Sequence, residues 1–303
     1  MNDKIKKLEM LKKERNAVIL AHNYQRPEVQ DIADFVGDSL ALAMKAKETD
    51  ADVIVFCGVD FMAESAKIVN PDKIVLHPDM GAKCPMAAMV DIGKLKALKS
   101  RHKNAAVVSY VNTTAEVKAV SNICCTSANA VKIVKSMEEK DIIFIPDSNL
   151  GKYVKRFVND KNMILWPGFC PTHHKIERED VMSLKRKHPG AEIIAHPECR
   201  PEVVDAADFV YSTGGMIKHA RNSGARKFII ATEKEMCYRL KKEMPEKEFY
   251  CIEHAICPNM KKITLEKVLK SLETLTPEMK LSDDVIKKAR IPLERMINMG
   301  RGD

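Results

Sequence analysis

The chain has 303 residues, 45% hydrophobic and 30% charged, with a net charge of +8 and nine cysteines; that length suits two or three separate cores. No apolar run reaches the length of a membrane span, and the charged amphipathic start MNDKIKKLEMLKKERNA lacks the apolar centre of a signal peptide, so a cytoplasmic protein with no membrane partner is expected. An aromatic content of 5% and the lack of a recognisable motif argue against nucleic acid, while lysines interspersed with Glu and Asp read as solvated helix faces whose cationic surplus attracts small polyanions.

In chain order, the amphipathic leader is followed by a β-branched run, AVILAH, then the helical pattern SLALAMKAKE, and then two more strand candidates, DVIVFCG and KIVLH. The Cys84-Pro85 dipeptide comes next. The order then repeats. AAVVSYV, DIIFIP and NMILW are the second set of strands, with ANAVKIVKSMEEK among the helices and Cys170-Pro171 at the end. EIIAH, KFIIAT and FYCIE form a third set, with GGMIKHARNSG as a helix and Cys257-Pro258 closing it. The cysteines of these dipeptides are 86 and 87 residues apart.

Other positions keep the same offset. His22, Tyr110 and His196 each close an apolar run; six residues on stand Glu28, Glu116 and Glu202, each followed by Val; eleven further on come the hydroxyls of Ser39, Ser127 and Thr213. Asp3, Asp91 and Glu177 precede the His/Tyr/His position by 19 residues. A period of about eighty residues exceeds that of solenoid repeats and indicates a triplicated domain. Strands alternating with helices predict three similar three-layer α/β/α domains with small parallel sheets about a pseudo-threefold axis. Their expected bounds are 1–87, 88–174 and 175–303, with C-terminal helices packing back on the first. In such sheets ligands gather beyond the carboxyl ends of the strands, where His22, Tyr110, His196 and the three cysteines fall. Ser39, Ser127 and Thr213 are expected to open the second helix of each copy, placing a hydroxyl and free N–H groups where an anion binds.

Each copy contributes one thiol in a loop stiffened by proline, and three thiols without an evident fourth suit an iron-sulfur cluster with one open iron. Zinc stays open as an alternative, although structural zinc favours paired, closely spaced ligands. The remaining six cysteines, Cys57, Cys124, Cys125, Cys199, Cys237 and Cys251, are expected to be small buried hydrophobes, with no disulfide framework.

A set of longer strings, LAHNYQ, GDS, KCPMA, SYVNTTAEVKA, IPDSNLGKYV, WPGFCPTHH, HPEC, STGGM and CPNMKKITLEKV, resembles quinolinate synthase over nearly the whole chain. The resemblance implies a [4Fe-4S] cluster on Cys84, Cys170 and Cys257. It implies condensation of iminosuccinate with dihydroxyacetone phosphate to quinolinate, phosphate and water in de novo NAD biosynthesis, with L-aspartate oxidase or aspartate dehydrogenase as the source of the imine. The iminosuccinate contacts would fall on His22, Ser39, Tyr110, Val111, Asn112, Ser127, His196, Pro197, Glu198 and Thr213, with Tyr24 and His173 as further active-site positions. The chemistry asks for proton transfers, for which Glu198 is the candidate base and Tyr24 and Tyr110 the donors. His22 and His196 would hold carboxylates if protonated or act as bases if neutral, and the sequence leaves both open. Other open-iron hydro-lyases, as in aconitase-type dehydratases, and a non-enzymatic iron-sulfur sensor are the competing readings.

Overall fold

The computed structural model describes residues 2–303. The first unit runs α1 (Asn2–Glu14), β1 (Ala17–His22), α2 (Pro27–Ile32), β2 (Phe35–Gly37), α3 (Ser39–Glu48), β3 (Val53–Cys57), α4 (Asp60–Val69) and β4 (Ile74–Leu76). The second runs α5 (Ile92–Arg101), β5 (Ala106–Tyr110), α6 (Ala115–Ala119), β6 (Ile123–Cys125), α7 (Ala130–Ser136), β7 (Asp141–Ile145), α8 (Ser148–Lys155) and β8 (Asn162–Leu165), followed by the short α9 (Pro171–His174). The third runs α10 (Arg178–Lys187), β9 (Glu192–Ala195), α11 (Pro201–Val204), β10 (Phe209–Val210), α12 (Thr213–Asn222), β11 (Lys227–Ala231), α13 (Glu235–Glu243) and β12 (Glu248–Cys251). Two further helices, α14 (Leu265–Thr274) and α15 (Asp283–Met299), complete the described chain. None of the described helices is long and apolar enough to cross a membrane.

Each unit holds one four-stranded parallel sheet, ordered β2-β1-β3-β4, β6-β5-β7-β8 and β10-β9-β11-β12. Helices cover both faces, so the fold is three α/β/α domains. All nine strands read from the sequence are present. Three are added, β2, β6 and β10, each preceded by a short helix; with the leader counted, α3, α7 and α12 are therefore the third helix of their units. These added strands are two or three residues long and leave little hydropathy signal; the equally short β4 is legible because it lies in the longer apolar run KIVLH.

A side chain marks the same point in every unit. Asp34 accepts a bond from Ile19 N (2.8 Å), Asn122 from Val107 N (2.9 Å) and Asp208 from Ile193 N (2.8 Å), clamping the turn before the short strand onto the inner strand. The repeat is thus retained in hydrogen bonds as well as in letters. A single apolar cluster runs through all three units, from Leu20 and Phe56 through Val108 and Phe144 to Ile194 and Phe228, with Leu293 and Met296 of α15. The C-terminal helices divide their contacts. α14 packs on α1 and β3 of the first unit, whereas α15 lies across α6 and β6 of the second and α4 of the first.

Four lone cysteines, Cys57, Cys124, Cys125 and Cys199, are buried and unpaired as expected. Cys237 and Cys251 are not: a disulfide joins them, with Cα atoms 6.3 Å apart. The tight return from α13 into β12 brings residues 14 apart face to face, a proximity that compositional reasoning about isolated thiols does not register.

Phe144 is fully buried in β7, and Phe157 is 45% exposed. Phe144→Ala is expected to cost about 3–5 kcal/mol in denaturant unfolding, and Phe157→Ala within about 0.5 kcal/mol of nothing. Equal effects would show that the common core is not what holds the units together.

Candidate active site

The carboxyl ends of the inner strands, two in each sheet, point into one cavity that is open in part to solvent. His22, Tyr24, Ser39, Cys84, Tyr110, Asn112, Ser127, Cys170, His173, His196, Glu198, Thr213 and Cys257 all line it. Val111 and Pro197 do not line it: Val111 belongs to the apolar core and Pro197 borders a neighbouring cleft. The chain turns sharply after Tyr110 and His196, so the next side chain points away.

The cysteine loops share one local design. Pro follows each cysteine at the start of a helical turn, where a missing N–H is harmless and φ is preset. Cys170 is the N-cap of α9, and single 3₁₀ turns follow the other two, Ala87–Met89 and Met260–Lys262. The backbone N–H three residues on faces each sulfur, from Ala87, His173 and Met260. The thiols lie near enough to disfavour one another's ionisation, and burial above all pushes their pKa values up. Such thiols give up their protons to a cation rather than to water. Cys170, His173 and Glu198 also bring donor atoms within 4.8 Å of one another, a set that suits a metal.

Beside the thiols a hydrogen-bonded chain crosses all three units. Tyr24 Oη lies 2.6 Å from Thr232 Oγ1, which lies 2.8 Å from His173 Nε2. His173 Nδ1 is 2.8 Å from Glu198 Oε2 and 3.2 Å from Cys170 Sγ, and Tyr110 Oη donates to Glu198 Oε1. With Nδ1–H directed at the carboxylate, Nε2 accepts from Thr232, which accepts in turn from Tyr24. Burial opposes ionisation of Glu198, but His173 and then the Tyr110 hydroxyl outweigh it and hold the carboxyl well below its usual range. Burial first and Glu198 second push both tyrosines up, so they stay protonated donors. The group is a base flanked by two proton donors.

His22 and His196 occupy equivalent places. Each accepts at Nδ1 from the backbone N–H two residues on, Tyr24 at 3.2 Å and Glu198 at 3.3 Å. That leaves Nε2–H as the free donor. Burial lowers their pKa values to about 4 and about 3 respectively, so both rings are neutral at pH 7. They are suited to donate to a carboxylate without carrying charge themselves.

The three hydroxyls are less alike than their spacing suggests. Ser39 and Thr213 are the first residues of α3 and α12, whose caps are Asp38 and Ser212. Ser127 sits in the turn before α7. There Asn129 Oδ1 accepts from Thr126 N at 2.8 Å, and that turn delays the helix by three residues. Asp38 also places a negative charge at the α3 end, answered by Arg301 at 2.7 Å; this anion-site expectation therefore needs Arg301, which no local pattern pointed to. Asn112 Oδ1 faces the cavity region without a partner.

Sequence reasoning missed Thr232, which joins Tyr24 to His173, and Asn23, whose Nδ2 donates to Thr213 Oγ1 at 2.8 Å across two units. Both follow the carboxyl ends of inner strands, so the strand-end rule that found His22 would have reached them.

A triplicated α/β protein whose strand ends enclose three thiols and a buried carboxylate bonded to a phenol is a small-molecule enzyme with a group of residues that could hold a metal. Comparisons with known proteins agree. The profile of the family described as Quinolinate synthetase A protein matches residues 6–298. Quinolinate synthase 1 of Methanosarcina acetivorans is 56% identical over 296 residues, 97% of each chain. The quinolinate synthases of Thermodesulfovibrio yellowstonii and Dehalococcoides mccartyi are 54% and 52% identical, covering 99% and 97% of both chains. The chain belongs to the quinolinate synthase family, and it is an enzyme of NAD biosynthesis.

Two buried imidazoles with lowered pKa values make stability depend on pH. Unfolding restores a pKa near 6.5, so below that value the unfolded chain binds more protons and the native state loses stability as pH falls toward 4. His22 alone accounts for on the order of 3 kcal/mol of that loss. Denaturant midpoints between pH 7 and pH 4 are expected to fall steeply for the parent chain and less for His22→Asn; identical slopes would contradict the neutral-ring assignment.

Proposed function

We propose that the chain condenses iminosuccinate with dihydroxyacetone phosphate to give quinolinate, phosphate and water, with a [4Fe-4S] cluster on Cys84, Cys170 and Cys257. The observation that carries this reading is the meeting of three thiols from three units in one cavity, unpaired with one another and flanked by a buried proton relay. The donor set fits the group: three soft ligands, one from each unit, with backbone N–H groups directed at every sulfur. When bound, such a cluster supplies a Lewis-acid iron that polarises a substrate oxygen or nitrogen.

The side chains do the rest. Neutral His22 and His196 donate Nε2–H to the carboxylates of the imine, with Asn112, Ser127 and Thr213 as further hydrogen-bonding groups around them. Glu198 takes protons as the condensed intermediate loses water, and His173 holds it ionised and oriented. Tyr110 and Tyr24, both protonated, return protons to departing oxygens. Ser39 lies at the α3 N-terminus, where free N–H groups can receive the phosphate. Burial excludes bulk water from an imine that water would hydrolyse, which favours delivery from a nearby L-aspartate oxidase or aspartate dehydrogenase. The repeat supports domain bounds of 1–87, 88–174 and 175–303, and the reading places the enzyme in the cytoplasm.

Anaerobically reconstituted protein is expected to hold about four irons per chain and to form a pyridine dicarboxylate from the two substrates; no product from iron-loaded protein would sink the proposal. Cys84→Ala, Cys170→Ala and Cys257→Ala should each lose the iron, while Cys124→Ala retains it; equal loss in all four would refute the ligand assignment. Tyr110→Phe should keep its iron and lose kcat by about 10²-fold or more, and a normal kcat would remove Tyr110 from proton transfer.

A further inference from the structure

We infer that three carboxylates, Asp60, Asp147 and Glu233, are positioning residues that lock the cysteine loops to the rigid core of each unit. They were not among the residues singled out by sequence, yet they repeat with it. Asp60 and Asp147 are 87 residues apart, and Asp147 and Glu233 are 86 apart. Each follows the second inner strand of its sheet, β3, β7 or β11, and lies at the N-terminal end of the helix after it, α4, α8 or α13.

Asp60 and Glu233 each have attachments on two sides, and Asp147 has its hydrogen bonds on the core side. On the core side, Asp60 Oδ1 accepts from Phe61 N at 2.9 Å; Asp147 Oδ1 accepts from Asn149 N and Leu150 N at 2.8 and 3.0 Å; Glu233 Oε2 accepts from Glu235 N at 2.9 Å. On the loop side, Asp60 Oδ1 accepts from Cys84 N at 2.9 Å and Glu233 Oε1 from Cys257 N at 3.2 Å. Asp147 faces the Cys170 main chain, and its Oδ2 is buried without a partner. Asp147 and Glu233 are fully buried. Glu233 has a further hold: Lys261 Nζ lies 2.8 Å from its Oε1 and donates to Tyr24 O at 2.7 Å, tying the Cys257 loop to the first unit.

The physical reason is geometric. Three ligands on three separate units must converge within tenths of an ångström, and an unsupported loop spreads that position. A carboxylate bound to a helix N-terminus and to the N–H of the ligand residue removes the looseness at its source. An ordinary helix cap explains the core-side bonds only, and not the return of the same carboxylate at a cysteine N–H in separate units.

The inference rests on the three cysteines being cluster ligands, and the test separates the two. Protein is reconstituted anaerobically with iron and sulfide, and loss of its visible thiolate-to-iron absorbance is followed under an external chelator. Asp60→Asn keeps an acceptor oxygen in place and is expected to lose iron at the parent rate. Asp60→Ser keeps an oxygen for α4 but withdraws it from Cys84, and is expected to lose iron about tenfold faster. Glu233→Gln against Glu233→Ala repeats the comparison on the third unit, so a folding defect in one arm leaves the other standing. Ser282→Ala removes a side-chain cap from α15, 25 residues along the chain from Cys257, and is expected to match the parent. Parent-like rates in Asp60→Ser and Glu233→Ala overturn the inference, and so does equally fast loss in Ser282→Ala. A parent chain that takes up no cluster overturns instead the ligand assignment beneath it.

Discussion

Glu198 is the constraint around which the site is arranged. Its carboxylate is buried, and a buried charge is costly unless hydrogen bonds satisfy it. His173 and Tyr110 provide those bonds, and both belong to the second unit while Glu198 belongs to the third. Thr232 and Tyr24 then extend the chain back into the third and first units. The hydrogen-bonded chain at the cavity and the docking of the units are therefore one set of bonds, and neither can loosen without the other.

The same economy holds for the thiols. A cysteine before a proline is an unremarkable loop element, but as the cap of a helical turn it presents sulfur to a row of N–H groups, and the unit's parallel sheet aims that turn at the common axis. Parallel strands all end on the same side, so one functional edge per unit is unavoidable. Three copies with their edges facing inward enclose a cavity that no single copy could form, because each has only one polar edge. The apolar cluster continuous through all three units fixes how those edges meet.

Departures from threefold symmetry track chemistry. The His/Tyr/His positions keep their place but differ in role: two neutral imidazoles with Nε2–H free, and one phenol bound to a carboxylate. Ser127 sits in a turn where Ser39 and Thr213 open helices. A small molecule without threefold symmetry is bound only by a site that breaks its own.

The letters alone determined the triplication, nine of the twelve strands, the cysteine triplet and most of the cavity lining, because domain repeats, strand periodicity and the strand-end rule are all local or fixed-offset signals. His22, Tyr110, His196 and the cysteines were legible for that reason. What only the tertiary structure decided was which groups touch. Thr232 with His173, Asn23 with Thr213, Arg301 with Asp38, and Cys237 with Cys251 are pairings set by the packing of units and elements, and no spacing rule encodes them. The tautomers and neutral state of His22 and His196 belong to the same class, since burial and a backbone partner, not residue type, set the charge of an imidazole.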